Sequence, residues 1–469
     1  MTRYSIYLLI GIILFVSSCS LAPKYEQPKA PIPAQWPRGQ AYGEMQDTAG
    51  KSSVSDLKRY SFFCDEKLLK IIEISLNNNR DLRLAALNVE RARALYGVQR
   101  AELFPPVGVT GSGSKQRSSS DFTKPGEQRT TKKYSVDLGI TSWEIDFFGR
   151  IRNLGEQALQ EYLATEQAWR SAEIALVSGI SRAYMLLAAD RENLRLSRST
   201  LDTQQEIHDL IRRQYEAGLA NELDLHRAQT QVEAARGDVA RFVQLVAQDQ
   251  NALNLLAGST VPEELLPDDL ESIGSPKDIS PGLSSEVLLN RPDIIAAEHQ
   301  LKAAYAFIGA ARAAFFPRIS LTTAIGTSSD ELSGLFKSGT GTWSFAPQIS
   351  MPIFDARTWA ALRVSKTARE IALTQYEKVI QTAFREVSDS LAIQGTVEDQ
   401  LKAQKSLVNA LAETCRLSIK RYNNGIDSYL GVLDAQRSLY SAQHGLIALR
   451  LSRIINRINL YSVLGGGSE

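Results

Sequence analysis

Apolar and polar positions along this chain follow two rhythms. Long stretches place apolar residues three and four apart, the period of a helix; shorter stretches alternate every second residue, the period of a strand. Helical spacing covers Arg80–Phe104, Arg150–Arg213 and Asn221–Leu256, and returns over Asp293–Phe316, Arg357–Arg421 and Ser428–Leu464. Pro105 stops the first helix, because its ring removes an N–H and clashes with the turn before it. Gly218 ends the second, since glycine enters the left-handed conformation of a helix C-terminus at little cost. Asn221 is placed to cap the third. Within Arg150–Arg213, Ala158, Tyr162, Thr165, Trp169, Ala172, Leu176, Gly179, Ala183 and Leu186 form a coiled-coil-type seam, several of them small enough for close helix approach. This segment alone fits a soluble coiled coil equally well.

Alternation marks Tyr134–Asp146, Pro317–Gly326 and Thr342–Met351. Val136, Leu138 and Ile140 interleave with Ser135, Asp137 and Gly139. Trp343, Phe345 and Ile349 interleave with Ser344, Ala346 and Gln348. The polar, Gly/Ser/Thr-rich stretches Lys115–Lys132 and Ser328–Gly341 read as loops between paired strands. Two strand hairpins are therefore predicted, at about 105–147 and about 317–354. Strands of about 10 residues with one apolar face suit an outer-membrane barrel. A small soluble β-layer gives the same alternation. Trp143 and Trp343 fit an aromatic girdle at a membrane interface or a packed core.

The two rhythms repeat. Phe104-Pro105 is echoed by Phe316-Pro317, and Gly97 and Ala101 by Gly309 and Ala313, all at an offset of 212. Asn79-Arg80-Asp81 is likewise echoed by Asn290-Arg291-Pro292-Asp293. Further on, Tyr215-x-x-Gly218 matches Tyr422-x-x-Gly425, Ala228-Gln229 matches Ala435-Gln436 and Gly258 matches Gly465, at an offset of 207. The change of offset falls in the loop-rich stretch between, where length varies most freely. Each copy holds one helix of about 64 residues, or ~97 Å, and two shorter ones whose lengths sum to about the same. Short helices stacked end to end beside a long one describe a tube wall. The chain divides as 1–18 signal peptide, 19–60 extended arm rich in proline, 61–258 first repeat, 259–290 linker with a short helix, 291–464 second repeat and 465–469 flexible tail.

Four strands cannot close a barrel, since single-chain barrels start at about 8 strands. In lipid every backbone polar group needs a partner. If these strands span a membrane, several chains must share one barrel.

The N-terminus sets the compartment. Arg3 precedes the apolar run Tyr4–Val16, followed by Ser17-Ser18-Cys19. A charged start, a short apolar core and small residues before the cut make a secretory signal, too short to span a bilayer as a helix. An aliphatic residue, two small residues and a cysteine resemble the bacterial lipoprotein signal, which makes Cys19 the lipidated N-terminus. Ser20, rather than aspartate, follows it, which favours the outer membrane.

Composition then excludes alternatives. With 53 Lys+Arg against 52 Asp+Glu there is no cationic excess for nucleic acid. Three cysteines make no disulfide framework, and Cys64 and Cys415 read as free thiols, although a pair is not excluded. Four scattered histidines make no metal cluster, and no cofactor is expected. The chain has no G-x-S-x-G, no Walker A and no H-E-x-x-H, and Gly334–Thr340 carries threonine where a phosphate loop needs lysine, so no catalytic residues are assigned.

Together, Cys19 with Leu21-Ala22-Pro23-x-Tyr25-x-x-Pro28, Asn290-Arg291-Pro292-Asp293, Phe316-Pro317, Pro352-Ile353-Phe354-Asp355 and Tyr422-x-x-Gly425 through Leu433-Asp434-Ala435-Gln436 resemble the TolC/OprM family of outer-membrane factors, in its NodT-type lipoprotein branch. The resemblance spans essentially the whole mature chain. It implies a mixed α+β, mostly α fold: a trimeric 12-stranded outer-membrane β-barrel, four strands per chain, continuous with a long α-helical periplasmic barrel. It implies a homotrimer in outer-membrane lipid that docks a periplasmic adaptor and an inner-membrane pump and serves as a passive efflux duct. It also implies a periplasmic entrance gate at Leu430, Asp434 and Tyr422, where three-fold symmetry turns each residue into a ring. Gly431 departs from members with a second aspartate there, which puts a double acidic ring in doubt. Otherwise Leu430 is a seam leucine and Asp434 a solvated helix acid. The rival readings are a type I protein-secretion channel and a periplasmic coiled-coil adaptor lipoprotein.

Overall fold

The structure is a computed structural model that describes residues 20–42, 62–124, 126–274, 276–278 and 284–466. Cys19 and the signal segment lie outside the described residues. The elements in order are α1 (Glu66–Asn78), α2 (Arg80–Ala101), β1 (Val107–Arg117), β2 (Thr130–Ile145), α3 (Arg150–Glu216), α4 (Glu222–Ala257), α5 (Pro292–Ala313), β3 (Arg318–Ser329), β4 (Gly341–Ser350), α6 (Ala356–Asn423) and α7 (Tyr429–Val463). The described residues fall into two compact units. One holds 20–29, 88–166 and 296–376; the other holds the rest.

The first unit carries the sheet. Its order is β1-β2-β3-β4, each strand antiparallel to the next. Opposed residues in an antiparallel pair share a face. The register therefore lines up Val109, Leu138, Ile325 and Trp343 across all four strands, with Val107, Ile140, Thr323 and Phe345 in the next row. Farther along this face lie Ile319 and Ile349. The opposite face carries Thr110, Asp137, Gly326 and Thr342. The sheet is thus apolar on one side and polar on the other, and its apolar side is open: Val109, Trp343 and Ile349 are all largely exposed. Strands β1 and β4 are exposed along their whole length, and each has a neighbour on one edge only.

A bulge in β2 keeps the pattern in phase. The register shifts between Ile140 and Trp143, where Ser142 adopts φ 53° and its N–H donates to the Thr322 hydroxyl at 3.1 Å. Without the extra residue, Trp143 and Ile145 would point to the polar face. The strands also run further than alternation alone predicts. β1 continues to Arg117 and β2 starts at Thr130, so the first loop is shorter than Lys115–Lys132. β1 is weakly patterned because Gly111, Ser112, Gly113 and Ser114 supply no apolar rows, and pairing with β2 decides it.

The N-terminal segment packs as an extended strap. In the first unit the Tyr25 hydroxyl donates to Glu298 at 2.9 Å while its ring meets Tyr305 edge-on at 5.5 Å. In the second, Trp36 is buried and stacks on Phe384 at 5.3 Å.

The second unit holds most of the two long helices, of 67 and 68 residues, and the joints between the shorter ones. Helix α3 includes a window apolar enough to cross a membrane by length and composition, but 56% of it is buried within the chain. That is the signature of a core helix.

The ends of the short helices do meet. Asn79 caps α2 by accepting the Leu82 N–H at 2.9 Å, and its amide donates to the carbonyl of Leu256, in the last turn of α4, at 2.9 Å. In the second repeat Arg291, just before α5, donates to the carbonyl of Val463, in the last turn of α7, at 2.7 Å. Asn79 and Arg291 are related by the 212 offset, and Leu256 and Val463 by the 207 offset. One joint has thus been built twice with different side chains. Arg291 also holds Asp293 at 2.7 Å and Glu386 at 3.1 Å, and is itself 8% exposed. Burial acts to lower its pKa, but the two carboxylates outweigh it and the pKa is raised. The residue of the first repeat that matches Glu386 is Gly179, so the ion pair exists in one copy only.

The linker between repeats lies against α3 and α7 through charge. Arg191 holds Glu263 at 2.7 Å, Arg195 holds Asp269 at 2.5 Å, Arg450 holds Glu271 at 2.9 Å and Arg457 holds Asp278 at 2.8 Å. Cys64 and Cys415 are both free thiols.

Candidate functional site at the helical hairpins

Each repeat turns from its long helix into a shorter one through the same hairpin. In the first, the Leu219 N–H reaches back to the Gln214 carbonyl at 2.8 Å around Gly218, which has φ 74°. In the second, the Ile426 N–H reaches the Arg421 carbonyl at 3.0 Å around Gly425, with φ 70°. The positive φ is why glycine recurs here. Asn221 caps α4 by accepting the Asp224 N–H at 2.8 Å. Its counterpart Ser428 makes no such bond; there Arg421 holds Asp427 at 2.5 Å across the turn and lowers the Asp427 pKa.

The two hairpins share a core of Ile211, Ala228, Tyr429, Val432 and Leu433, with Leu225, Ile419 and Tyr422 packed on it. Tyr422 is half-buried. Its hydroxyl donates to Gln214 at 3.3 Å and its ring lies 5.4 Å from that of Tyr429. Burial, with the Asp224 charge second, pushes the Tyr422 pKa up, so the phenol stays neutral and a donor. The Tyr429 hydroxyl is buried without a partner.

Leu430 and Asp434 stand one helical turn apart on α7, on the side away from Val432 and Ala435. Leu430 is 44% exposed and Asp434 is exposed. Among the described residues the Asp434 carboxylate has no hydrogen-bond or ion-pair partner. The structure thus brings Tyr422 into the inter-hairpin core and leaves Leu430 and Asp434 facing outward together. It adds two residues that were not singled out. Leu223, exposed on α4, matches Leu430 at the 207 offset, and Arg227 matches Asp434. The offset alone would have found them. Arg227 is held by Asp224 at 3.4 Å, so the two copies present opposite charges at equivalent places.

Above the turns a polar ladder ties α7 to α3 and α4. Gln436 accepts from Gln204 at 3.2 Å and Arg437 donates to Gln231 at 3.0 Å. The Tyr440 hydroxyl lies 2.8 Å from that of Ser197 and donates to Asp238 at 3.2 Å.

Comparison with known proteins decides the class. Residues 71–259 and 283–466 each match the family described as outer membrane efflux protein. This chain belongs to that family. The two matches are the two repeats. The toluene efflux pump outer membrane protein TtgC of Pseudomonas putida is 48% identical over 454 residues, 96% of this chain and 93% of the relative. Outer membrane protein OprJ of Pseudomonas aeruginosa is 41% identical over 461 residues, 97% of this chain and 94% of the relative. Among solved structures, a membrane protein from Pseudomonas aeruginosa superposes with TM-score 0.89 at 40% identity, covering 96% of this chain and 98% of that one. The Neisseria gonorrhoeae MtrE outer membrane channel, in its open state, gives 0.85 at 37%, with coverage of 96% and 98%. The chain is accordingly an outer-membrane efflux channel component, and the amphipathic sheet is its membrane part.

Proposed function

We propose that three copies of this chain form one passive duct, each giving four strands to a shared 12-stranded barrel and its long helices to a tunnel below. The observation that carries this is the sheet itself: one apolar face, and two outer strands that lack a second neighbour. In lipid those edges need partners, and sister copies supply them. The duct moves small, largely apolar compounds, in keeping with relatives named for toluene, solvent and antibiotic efflux. An inner-membrane pump supplies the energy and a periplasmic adaptor the link. Cys19 carries the lipid, which anchors without spanning.

Leu430, Asp434 and Tyr422 form the periplasmic entrance. Tyr422 ties the second hairpin to the first through Gln214, while Leu430 and Asp434 present an apolar and an acidic ring to the lumen. An acidic ring favours cations and an apolar ring gates by dewetting. In planar bilayers the purified protein gives single-channel conductance with a cation preference, and Asp434→Asn brings the reversal potential in a salt gradient toward zero. Unchanged selectivity removes Asp434 from the entrance; a detergent-independent monomer without conductance removes the duct. A Cys19→Ser chain takes up no labelled fatty acid, and retained label refutes lipidation there.

A further inference from the structure

Two acids in the helical unit play no part in the entrance. Asp190 on α3 and Asp249 on α4 are each 9% exposed, and their carboxyl groups lie within hydrogen-bonding reach of each other. Asp249 Oδ2 is buried with no donor. Among the described residues Asp190 is the one charged group that acts on Asp249, and no cation offsets it there. Two ionised carboxylates at such a distance in a dry seam repel strongly, and Asp249 Oδ2 has no donor to satisfy it as an anion.

The groups around them fix which oxygen keeps the charge. Asn193 Nδ2 donates to Asp190 at 3.3 Å, so the Asn193 Oδ1 is free to accept. That oxygen lies 2.7 Å from His444 Nδ1, which must therefore carry the hydrogen. His444 stacks on Phe242 at 5.3 Å, its Nε2 buried without a partner, which suits a neutral ring. Burial holds its pKa below the usual value. Asp238 and Arg241 of α4 face His444 with opposite effects, and Glu192 of α3 is held by Arg450 of α7 at 3.3 Å.

We propose that Asp190 and Asp249 hold one proton between them, forming a proton-binding site in the helical wall that couples α3 to α4. The proton sits on Asp249, which donates to the Asp190 carboxylate. Losing it leaves two facing anions and loosens the seam.

Burial first, then the Asp190 charge, raises the Asp249 pKa from its ordinary 3.8 to about 7. The sign follows. The folded protein holds this proton more tightly than the unfolded chain, so the stabilisation is complete below the unfolded pKa and is lost as pH rises through the folded one. The wild-type channel should show the infrared carbonyl stretch of a neutral carboxylic acid at about pH 5, fading by about pH 8, and its thermal midpoint should fall by several degrees across the same window. Asp249→Asn, which still donates to Asp190, should lose that carbonyl band and flatten the slope, with a midpoint at about pH 8 above that of the wild type. Absence of the band in the wild type, or its persistence in Asp249→Asn, overturns the proposal. So does a slope that survives Asp249→Asn and vanishes in His444→Asn, which would move the proton to the imidazole.

Discussion

Replacing Gly258 by alanine is expected to destabilise the helical unit by about 2–5 kcal/mol, from about 1–2 for a left-handed non-glycine residue and about 1–3 for overpacking. Gly258 closes α4 at φ 70°, and a Cβ built there falls 2.4 Å from the Asn78 carbonyl oxygen. That oxygen is backbone and cannot swing aside. The joint that Asn79 makes with Leu256 lies beside it, so the chain must open the joint to admit a methyl group. Gly465 is the natural control. It matches Gly258 at the 207 offset and has φ 99°, but a Cβ there makes only ordinary contacts at 3.7 Å with Arg291. Gly465→Ala should therefore carry the conformational cost alone, about 1–2 kcal/mol. Thermal unfolding of the detergent-solubilised variants measures both; equal losses would show that the close approach at Asn78 contributes nothing.

The second large effect is expected at Arg291. Its guanidinium bridges the Val463 carbonyl, Asp293 and Glu386 from a nearly dry position. Arg291→Ala takes a donor from all three and leaves Asp293 with the Ile294 N–H at 2.9 Å. Breaking a fully buried pair costs about 3–5 kcal/mol, but Asp293 and Glu386 remain about one-third exposed and keep some water, so about 2–3 kcal/mol is expected here. Glu386→Gln retains an acceptor and should cost about 1 kcal/mol or less. In the double variant Arg291→Ala/Glu386→Gln the losses should fall short of the sum, because the stranded charge at Glu386 is gone. Strict additivity in the unfolding energies would sink the Arg291–Glu386 coupling. Asn79→Ala, the same joint with a neutral side chain, should cost about 1 kcal/mol, in the range of a lost cap.

Much of this was legible in the sequence because it is carried by local signals. Gly218, Gly425 and Asn221 mark the hairpins where they stand, and the helix limits from spacing agree with the structure to within a few residues. The end-to-end stacking follows from matched lengths, and the joints at Asn79 and Arg291 show it. What escaped depends on partners distant in the chain. The glycine- and serine-rich half of β1 has no pattern of its own and becomes a strand only against β2. The bulge at Ser142 is visible only as a register shift with β3. Helix α1, with Ile71 and Ile72 fully buried, lay before the first helix that spacing marked. Asp190 and Asp249 look in sequence like any acids on a solvated helix face. At the entrance, the motifs mark Leu430, Asp434 and Tyr422, whereas nothing in the sequence marks Tyr429, the buried ring in the hairpin core.

The bare outer edges of β1 and β4 also bear on how the channel is made. A subunit on its own carries two rows of unanswered backbone groups, which water tolerates and hydrocarbon does not. Newly made chains must therefore wait in the wet compartment until companions arrive, and entry into the bilayer becomes a collective event, steeply dependent on how many copies are present. In the proposed trimer one faulty strand would spoil a ring that two sound chains have already joined, so genetic lesions in this ribbon should behave as dominant ones.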